Sequence, residues 1–211
     1  MANITVLGAS GFAGGHVVQE ATTRNHRVTA VSRAGTENEG TRNIRGSVLD
    51  GSVLDEALTN ADVVVGAISP RGDMAGRVIE AYRNIAQRLS GTDTRLIVIG
   101  GFGSLKMPES ERIANTDDFP EAYRPEAREL LEVLLALETF DDLDWTYVSP
   151  AANFGSYIPN QERLGRYRTS DETPLFDEQG ESAISGADLA VAVLDTIESG
   201  DHRRSHVSFV Y

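Results

Sequence analysis

Short apolar runs alternate along the chain with longer segments in which apolar residues recur at helical spacing. The short runs are rich in β-branched residues and predict strands over residues 4–7, 28–31, 43–45, 63–67, 96–99, 146–148 and 207–210. The helical spacing predicts helices over residues 12–24, 73–89, 125–140 and 187–198, with another that begins near Ser52. This alternation is typical of a parallel sheet with crossover helices.

Two of these helices have recognisable start signals. Ser52 is suited to be an N-cap, with Asp55 at the third helical position, where an acid favours a helix start. Pro125 stands where the first turn of a helix tolerates proline. The apolar face of that helix would be formed by Leu130, Leu131, Leu134, Leu135 and Leu137.

The fold prediction is one domain over residues 1–211, because no linker or internal repeat divides the chain. We expect an α/β fold with a doubly wound parallel sheet, a Rossmann fold. Residues 151–180 have no periodic pattern and would form a small C-terminal lobe on the substrate side of the sheet.

Composition and charge narrow the possible partners. The formal net charge of −13 disfavours binding to nucleic acid or to an anionic membrane surface. The chain has no cysteine, which excludes disulfides, thiol catalysis and cysteine-ligated metals. The first residues do not have the pattern of a signal peptide, and no apolar run reaches the ~20 residues that span a bilayer. We therefore expect a cytoplasmic protein, monomeric or homodimeric, that acts on a small molecule.

A glycine-rich turn, Gly8-Ala9-Ser10-Gly11-Phe12-Ala13-Gly14, connects the first predicted strand to the first predicted helix. Gly8 would permit a tight turn, Gly11 would let the backbone approach a pyrophosphate, and Gly14 would let the helix pack close to the sheet. The N–H groups at the helix start would then face the phosphates. A turn that merely fits the fold is the alternative, but the position between strand and helix favours dinucleotide binding.

The end of the second strand indicates which dinucleotide is preferred. Sites for NAD usually have an acid there, whereas this chain has Ser32 and Arg33. Arg33 could form a bidentate contact with a 2′-phosphate, which favours NADP(H) over NAD(H); a solvated surface arginine is the alternative. The ends of the other parallel strands should line the same cleft, including Gly100 and Gly101 after the fifth strand.

Several motifs together resemble one family. They are residues 8–14, Arg33, and residues 46–50, 100–105, 144–151, 165–168 and 180–190. With them the chain resembles the atypical short-chain dehydrogenases/reductases of the NmrA-like and biliverdin-reductase-B/flavin-reductase kind. It is most similar to small bacterial proteins provisionally described as NADH-flavin reductases or NAD(P)H-binding proteins. The resemblance covers nearly the whole chain and is specific for fold and cofactor, not for substrate.

The resemblance also implies roles for individual residues. It implies that the pyrophosphate contacts Gly8, Ser10, Gly11, Phe12 and Gly14. It implies that the ribose phosphate contacts Arg33 and that the adenine contacts Val48 and Leu49. It implies that the linking sugars contact Ala67 and Ile68 and that the nicotinamide contacts Pro150, Ala151 and Asn153. One position departs from the family pattern, since Ser47 stands where many relatives have aspartate.

The Tyr-x-x-x-Lys pair of typical short-chain dehydrogenases is absent. Four residues after Tyr123 comes Ala127, and the only lysine, Lys106, precedes that helix. The remaining catalytic candidates are Tyr123 and Ser104, for which a packing residue and a loop cap are the alternatives. None of the four histidines has metal-ligand company, so we expect no metal site.

A missing proton-transfer pair favours acceptors that stabilise the incoming charge themselves. The functional hypothesis is therefore NADP(H)-dependent hydride transfer to a flavin, quinone or similar conjugated acceptor. The acceptor would lie between Ser104, Tyr123, Asn153 and Phe154. The alternative is a non-catalytic redox sensor of the NmrA type, which the missing pair supports equally. Arg163, Arg166 and Arg168 could meet an anionic substrate, although surface pairing with acids is the favoured interpretation.

Overall fold

The computed structural model describes residues 1–35 and 40–211. Its strands form one sheet and are β1 (Asn3–Leu7), β2 (Arg27–Ser32), β3 (Thr41–Arg45), β4 (Val63–Gly66), β5 (Arg95–Ile99), β6 (Trp145–Pro150), β7 (Arg168–Ser170) and β8 (Ser205–Val210). The helices are α1 (Phe12–Thr23), α2 (Gly51–Leu58), α3 (Val78–Leu89), α4 (Arg124–Leu137) and α5 (Gly186–Ser199).

The order of strands across the sheet is β3-β2-β1-β4-β5-β6-β8-β7. The pairs from β3 to β8 are parallel, and β7 runs antiparallel to β8 at the edge. The chain moves outward from β1 to β3 and then returns to the other side of β1 with β4. This reversal opens a crevice at the carboxyl ends of β1 and β4, which is where ligands bind in doubly wound sheets.

Helices cover both faces of the sheet, so the fold is the predicted doubly wound α/β fold. One apolar layer joins alternate strand residues such as Val64 and Leu96 to α2, α3 and α4. The other joins Val65 and Ile97 to α1 and α5. The strands β4 and β5 are buried along their whole length, as their continuous apolar runs predict. No helix within residues 1–35 and 40–211 is both long and apolar enough to cross a membrane.

Four local predictions are corrected by the structure. The helix expected from residue 73 begins only at Val78, because Gly76 adopts a left-handed φ of +75° that interrupts the helix. The N-cap of α2 is Asp50, whose side chain accepts a hydrogen bond of 2.9 Å from the Ser52 N–H. Leu135 is 47% exposed and faces solvent. The short strand β7 lies inside residues 151–180, for which the absence of a periodic pattern predicted no strand.

The segment after β6 is fastened to the two helices on its side of the sheet. Arg163 donates hydrogen bonds of 3.0 and 2.8 Å to the two carboxylate oxygens of Glu20 in α1. The buried carboxylate of Asp188 in α5 accepts hydrogen bonds from the N–H groups of Leu164 and Gly165 at 2.9 and 2.7 Å. Arg163 thus pairs with an acid, as the favoured interpretation expects, although the Glu20 carboxylate is buried and not on the surface.

Candidate dinucleotide-binding site

A cleft of about 480 Å³ opens at the carboxyl ends of the central strands. Most of the site residues named from the sequence line it: Gly8, Ser10, Gly11, Phe12, Ala13, Arg33, Val48, Ala67, Ile68, Gly100, Gly101, Pro150 and Ala151. The structure therefore brings together strand ends that lie far apart in the chain. Five other named residues, Gly14, Leu49, Ser104, Tyr123 and Asn153, lie outside this lining.

The glycine turn has the geometry that a pyrophosphate requires. Gly8 has a left-handed φ of +87°, and a Cβ there would lie 2.4 Å from the Ala67 carbonyl oxygen. A Cβ on Gly14 would lie 2.3 Å from the Gly8 carbonyl oxygen, so only glycine allows α1 to approach the turn this closely. A Cβ on Gly11 would approach only the Gly8 oxygen, at 3.2 Å, and would otherwise occupy space in the cleft.

The N-terminus of α1 is available to bind a phosphate. Its N-cap residue is Gly11, and no side chain in the described part of the chain caps the helix. The N–H groups of its first turn and the positive end of the helix dipole therefore face the cleft. Together with the space above Gly11, this arrangement fits the pyrophosphate of a dinucleotide.

The end of β2 places two polar side chains on the cleft. The Ser32 hydroxyl is buried and has no hydrogen-bond partner among the described residues. Arg33 is exposed, and its Nη1 lies 3.0 Å from Asp73 Oδ2, on the 3₁₀ turn Gly72–Met74. An unsatisfied hydroxyl beside a guanidinium fits a ribose or a phosphorylated ribose.

Small and apolar residues form the walls on either side of β1. Val48 is buried along the cleft, with Leu49 packed behind it against the core. The Ser47 hydroxyl accepts a hydrogen bond of 3.2 Å from the Leu49 N–H. This serine therefore braces its own loop. Across the cleft, Ile68 is held through a 3.4 Å hydrogen bond from its N–H to the Tyr82 hydroxyl.

Ser104, one of the two catalytic candidates, does not line the cleft, because its side chain is fully buried. Its hydroxyl lies 2.9 Å from that of Tyr147, which donates a 2.8 Å hydrogen bond to the Leu130 carbonyl in α4. The Tyr147 ring also lies directly beneath Gly100, where a Cβ would come within 2.0 Å of it. Burial raises the pKa of Tyr147, so this tyrosine stays protonated near neutral pH.

Tyr123 and Asn153 also lie outside the cleft lining. Tyr123 is 61% exposed on the 3₁₀ turn before α4 and does not line the cleft. The Asn153 amide donates a 2.9 Å hydrogen bond to Glu181 Oε2 on the surface. Of the four residues expected around the acceptor, only Phe154 lines the cleft. Ser104 is held in the core by Tyr147, Tyr123 lies on the surface, and Asn153 is hydrogen-bonded on the surface, none of which the sequence pattern revealed.

Sequence reasoning missed the ionisable groups that do line this end of the cleft. Arg71, in the connection after β4, donates a 2.8 Å hydrogen bond to Glu126 Oε2 near the start of α4. Tyr157, 70% exposed, lines the opposite wall together with Phe154. Arg71 lies just beyond the carboxyl end of a buried strand, and that position was the available signal.

A buried histidine supports the loop after β5. His206 Nε2 lies 2.8 Å from the Ser149 hydroxyl, which donates a 2.9 Å hydrogen bond to the Gly101 carbonyl oxygen. Nε2 must therefore carry the proton that is donated to Ser149. Burial, helped by the nearby Arg112 guanidinium, lowers the pKa of His206 to about 4. The histidine is thus neutral at pH 7 and holds Gly101 in place at the cleft wall.

The described residues contain no group of three His, Asp or Glu side chains arranged to hold a metal ion. Lys106 lies away from the cleft, and its Nζ is 2.6 Å from Glu172 Oε1.

Comparison with known proteins gives a consistent picture. A family model described as NAD(P)H-binding matches residues 8–199. The uncharacterised protein YwnB of Bacillus subtilis is 34% identical over 98% of this chain and 97% of its own length. A Streptococcus pneumoniae crystal structure, provisionally described as an NADH-flavin reductase, has a TM-score of 0.88 at 33% identity, covering 100% of this chain and 99% of that one. A Bacteroides thetaiotaomicron structure, provisionally described as an epimerase, has a TM-score of 0.86 at 30% identity, covering 100% and 97%. The chain therefore belongs to the NAD(P)H-binding family, in agreement with its resemblance to the atypical short-chain dehydrogenases/reductases.

Proposed function

We propose that the protein is an NADP(H)-dependent reductase whose acceptor is a flat conjugated molecule such as a flavin or a quinone. The observation that carries the proposal is the contrast between the two halves of the cleft. One half has a complete phosphate cradle. The other is lined by aromatic and apolar side chains together with the Arg71–Glu126 ion pair, with no lysine among the described lining residues. The bound nicotinamide would supply hydride, and the protein would supply position.

The acceptor half is suited to a flat ring. Phe102, Phe154 and Tyr157 present aromatic surface from the ends of β5 and β6, and Leu130 adds an apolar wall from α4. Such walls stack on a conjugated ring and exclude water from it. Holding donor and acceptor at the right distance can supply much of the rate of a hydride transfer.

Arg71 would stabilise the product of the reaction. A flavin or quinone gains negative charge when it accepts hydride, and the Arg71 guanidinium lies on the cleft beside Glu126. A preorganised cation near developing charge favours the transition state over the ground state. Arg71 would therefore have the role that was expected of Ser104 and Tyr123, which do not line the cleft.

The NADP(H) preference rests on Arg33, at the end of β2. The provisional description of the Streptococcus pneumoniae relative as an NADH-flavin reductase supports the acceptor class. The cytoplasmic location and the monomeric or homodimeric state stay predictions.

The experiment is a turnover assay with purified protein, NADPH or NADH, and a panel of flavins, quinones and enals. We expect absorbance at the reduced-nicotinamide band to fall faster with protein than without it for at least one flavin or quinone. Arg71→Ala should lower kcat for that acceptor by about tenfold or more, since removing one stabilising donor costs about this much or more. Asp93→Asn, just before the amino end of β5 and outside the cleft lining, serves as a control variant.

A redox sensor is the second candidate, favoured by the positions of Ser104 and Tyr123 outside the cleft. A sensor would bind NADP and NADPH with different affinities and reduce nothing in the panel. Titration calorimetry with both forms, on the same protein preparation, distinguishes the two functions. Failure to reduce any acceptor above background would refute the reductase proposal.

A further inference from the structure

Arg33 is not the only charged group at the place where the adenosine ribose would lie. Asp73 Oδ2 lies 3.0 Å from Arg33 Nη1, and the two side chains come from different connections. Arg33 follows β2, whereas Asp73 belongs to the connection between β4 and α3. Because β1 lies between β2 and β4 in the sheet, this ion pair spans the crevice beside the glycine turn.

The position of Asp73 is fixed by its neighbours. Gly72 has a left-handed φ of +56°, and Met74 on the other side is buried against the core and lines the cleft. The N–H groups of Met74 and Ala75 donate to the carbonyls of Arg71 and Gly72 at 3.2 Å each. The backbone of this turn therefore holds the carboxylate over the end of β2.

The two side chains are exposed, 56% for Arg33 and 93% for Asp73. An ion pair this exposed is weak and opens easily. A 2′-phosphate that reaches Arg33 would therefore displace Asp73 without large cost. The displaced carboxylate would nevertheless stay close to a group with a charge of about −1.5 to −2 and repel it.

A ribose without the phosphate would experience the opposite effect. Its 2′-hydroxyl can donate a hydrogen bond to a carboxylate, which is the way acids favour NAD at the end of β2 in related folds. Asp73 would supply this acid from a different connection of the chain. The two charges would then act in opposite directions on the same ribose position.

We infer that Asp73 and Arg33 together set the dinucleotide preference, Arg33 favouring NADP(H) and Asp73 favouring NAD(H), so that the preference of the wild-type protein for NADP(H) is smaller than Arg33 alone would produce. The inference rests on the proposed function for the location of the adenosine ribose, but it does not depend on turnover. It adds Asp73 as a specificity-determining residue, although this residue does not belong to the segment at the end of β2 from which cofactor preference is usually predicted.

The test is a binding measurement on the full chain, with dissociation constants for NADP and NAD determined by calorimetry at low salt. Asp73→Asn keeps the size of the side chain and removes its charge. We expect the affinity ratio of NADP to NAD to rise about threefold to tenfold, and to return toward the wild-type ratio near 1 M salt, where charges are screened within ~3 Å. Arg33→Ala should move the ratio in the opposite direction.

Asp93→Asn is the matched control, because it changes the net charge equally at an exposed position before the amino end of β5, whereas the cleft lies at the carboxyl ends of the strands. The control should leave the ratio within about twofold of wild type, well under the ~1.4 kcal/mol that corresponds to tenfold. An unchanged ratio in Asp73→Asn, or an equal rise in Asp93→Asn, overturns the inference. Wild-type protein that binds both dinucleotides but reduces no acceptor would count against the proposed function alone.

Discussion

The close packing of α1 against the glycine turn predicts opposite effects for two neighbouring glycines. In Gly14→Ala the new Cβ would lie 2.3 Å from the Gly8 carbonyl oxygen, 2.9 Å from its carbon and 3.2 Å from the Ala9 Cα. All three contacts are with backbone, so no side chain can move aside. In Gly15→Ala the nearest atom would be the Ala9 carbonyl oxygen at 3.6 Å, an ordinary contact.

The magnitudes follow from two terms. Alanine is about 1 kcal/mol more favourable than glycine inside a helix, and both variants gain this term. Overpacking at a rigid site costs typically about 1–3 kcal/mol, and a contact with backbone at this distance falls at the upper end. Gly14→Ala should therefore lose about 1–2 kcal/mol of unfolding free energy, whereas Gly15→Ala should gain up to about 1 kcal/mol. For a chain of this size each kcal/mol corresponds to about 2–4 °C in Tm.

Cofactor binding provides a second measurement. To relieve the contact, Gly14→Ala must move the Gly8 carbonyl and with it the turn that faces the pyrophosphate. We expect NADPH affinity to fall at least about tenfold, which is ~1.4 kcal/mol, while Gly15→Ala binds as wild type does. Thermal unfolding and calorimetry on both variants measure the two effects. A Gly14→Ala protein that matches Gly15→Ala in both would show that the turn adapts, and the packing argument would be wrong.

Three further predictions concern buried polar groups. Ser104→Ala should cost about 0.5–1.5 kcal/mol of unfolding free energy through its lost hydrogen bond to Tyr147, and it should leave NADPH affinity unchanged; a loss of affinity at full stability would contradict the buried position. His206 stays neutral in the folded state down to pH about 4, because its pKa is lowered from 6.5 to about 4. Between pH 6.5 and pH 4 the unfolded chain therefore binds one proton at this histidine that the folded chain does not bind. Wild-type stability should therefore fall on acidification by up to about 1.4 kcal/mol per pH unit, and His206→Gln should show a shallower slope in denaturant titrations; parallel slopes would exclude this role. The hydrogen bonds from Arg163, opposed by burial and helped by Arg24, hold the pKa of Glu20 below its ordinary value of 4.5. The contribution of these hydrogen bonds to the free energy of unfolding is present above pH 4.5 and is lost as the pH falls through the lowered pKa. Glu20→Gln should therefore cost about 1–2 kcal/mol of unfolding free energy at pH 7 and progressively less below pH 4.5. A difference between variant and wild type that does not change with pH would argue against the ion pair.

The sequence predicted the central sheet because each of its signals is local. The apolar runs of β4 and β5 are buried on both faces, so no alternation of polar and apolar residues interrupts them. The glycine turn could be predicted for the same reason. A left-handed φ at Gly8 and a contact that excludes a Cβ at Gly14 require glycine at those positions.

The boundaries of helices were less determined by local sequence. The helical spacing of residues 73–89 continues through Gly76, but the left-handed backbone at that glycine separates the 3₁₀ turn from α3. In α2 both Asp50 and Ser52 are capping residues, and only the observed hydrogen bond identifies Asp50 as the cap. Spacing alone cannot distinguish such neighbouring alternatives.

The chemistry at the cleft depended most on the tertiary structure. Ser104 follows a strand end, as a site residue should, yet the Tyr147 hydroxyl from the next strand of the sheet holds it in the core. Arg33 and Asp73 are 40 residues apart in the chain and meet only because β1 lies between β2 and β4. The sequence by itself determined the parallel strands, the glycine turn and the class of cofactor, since backbone conformation and the period of burial depend on neighbouring residues. Which polar side chains face the cleft was decided by contacts between distant segments, because a side chain turns toward the nearest partner that satisfies its hydrogen bonds.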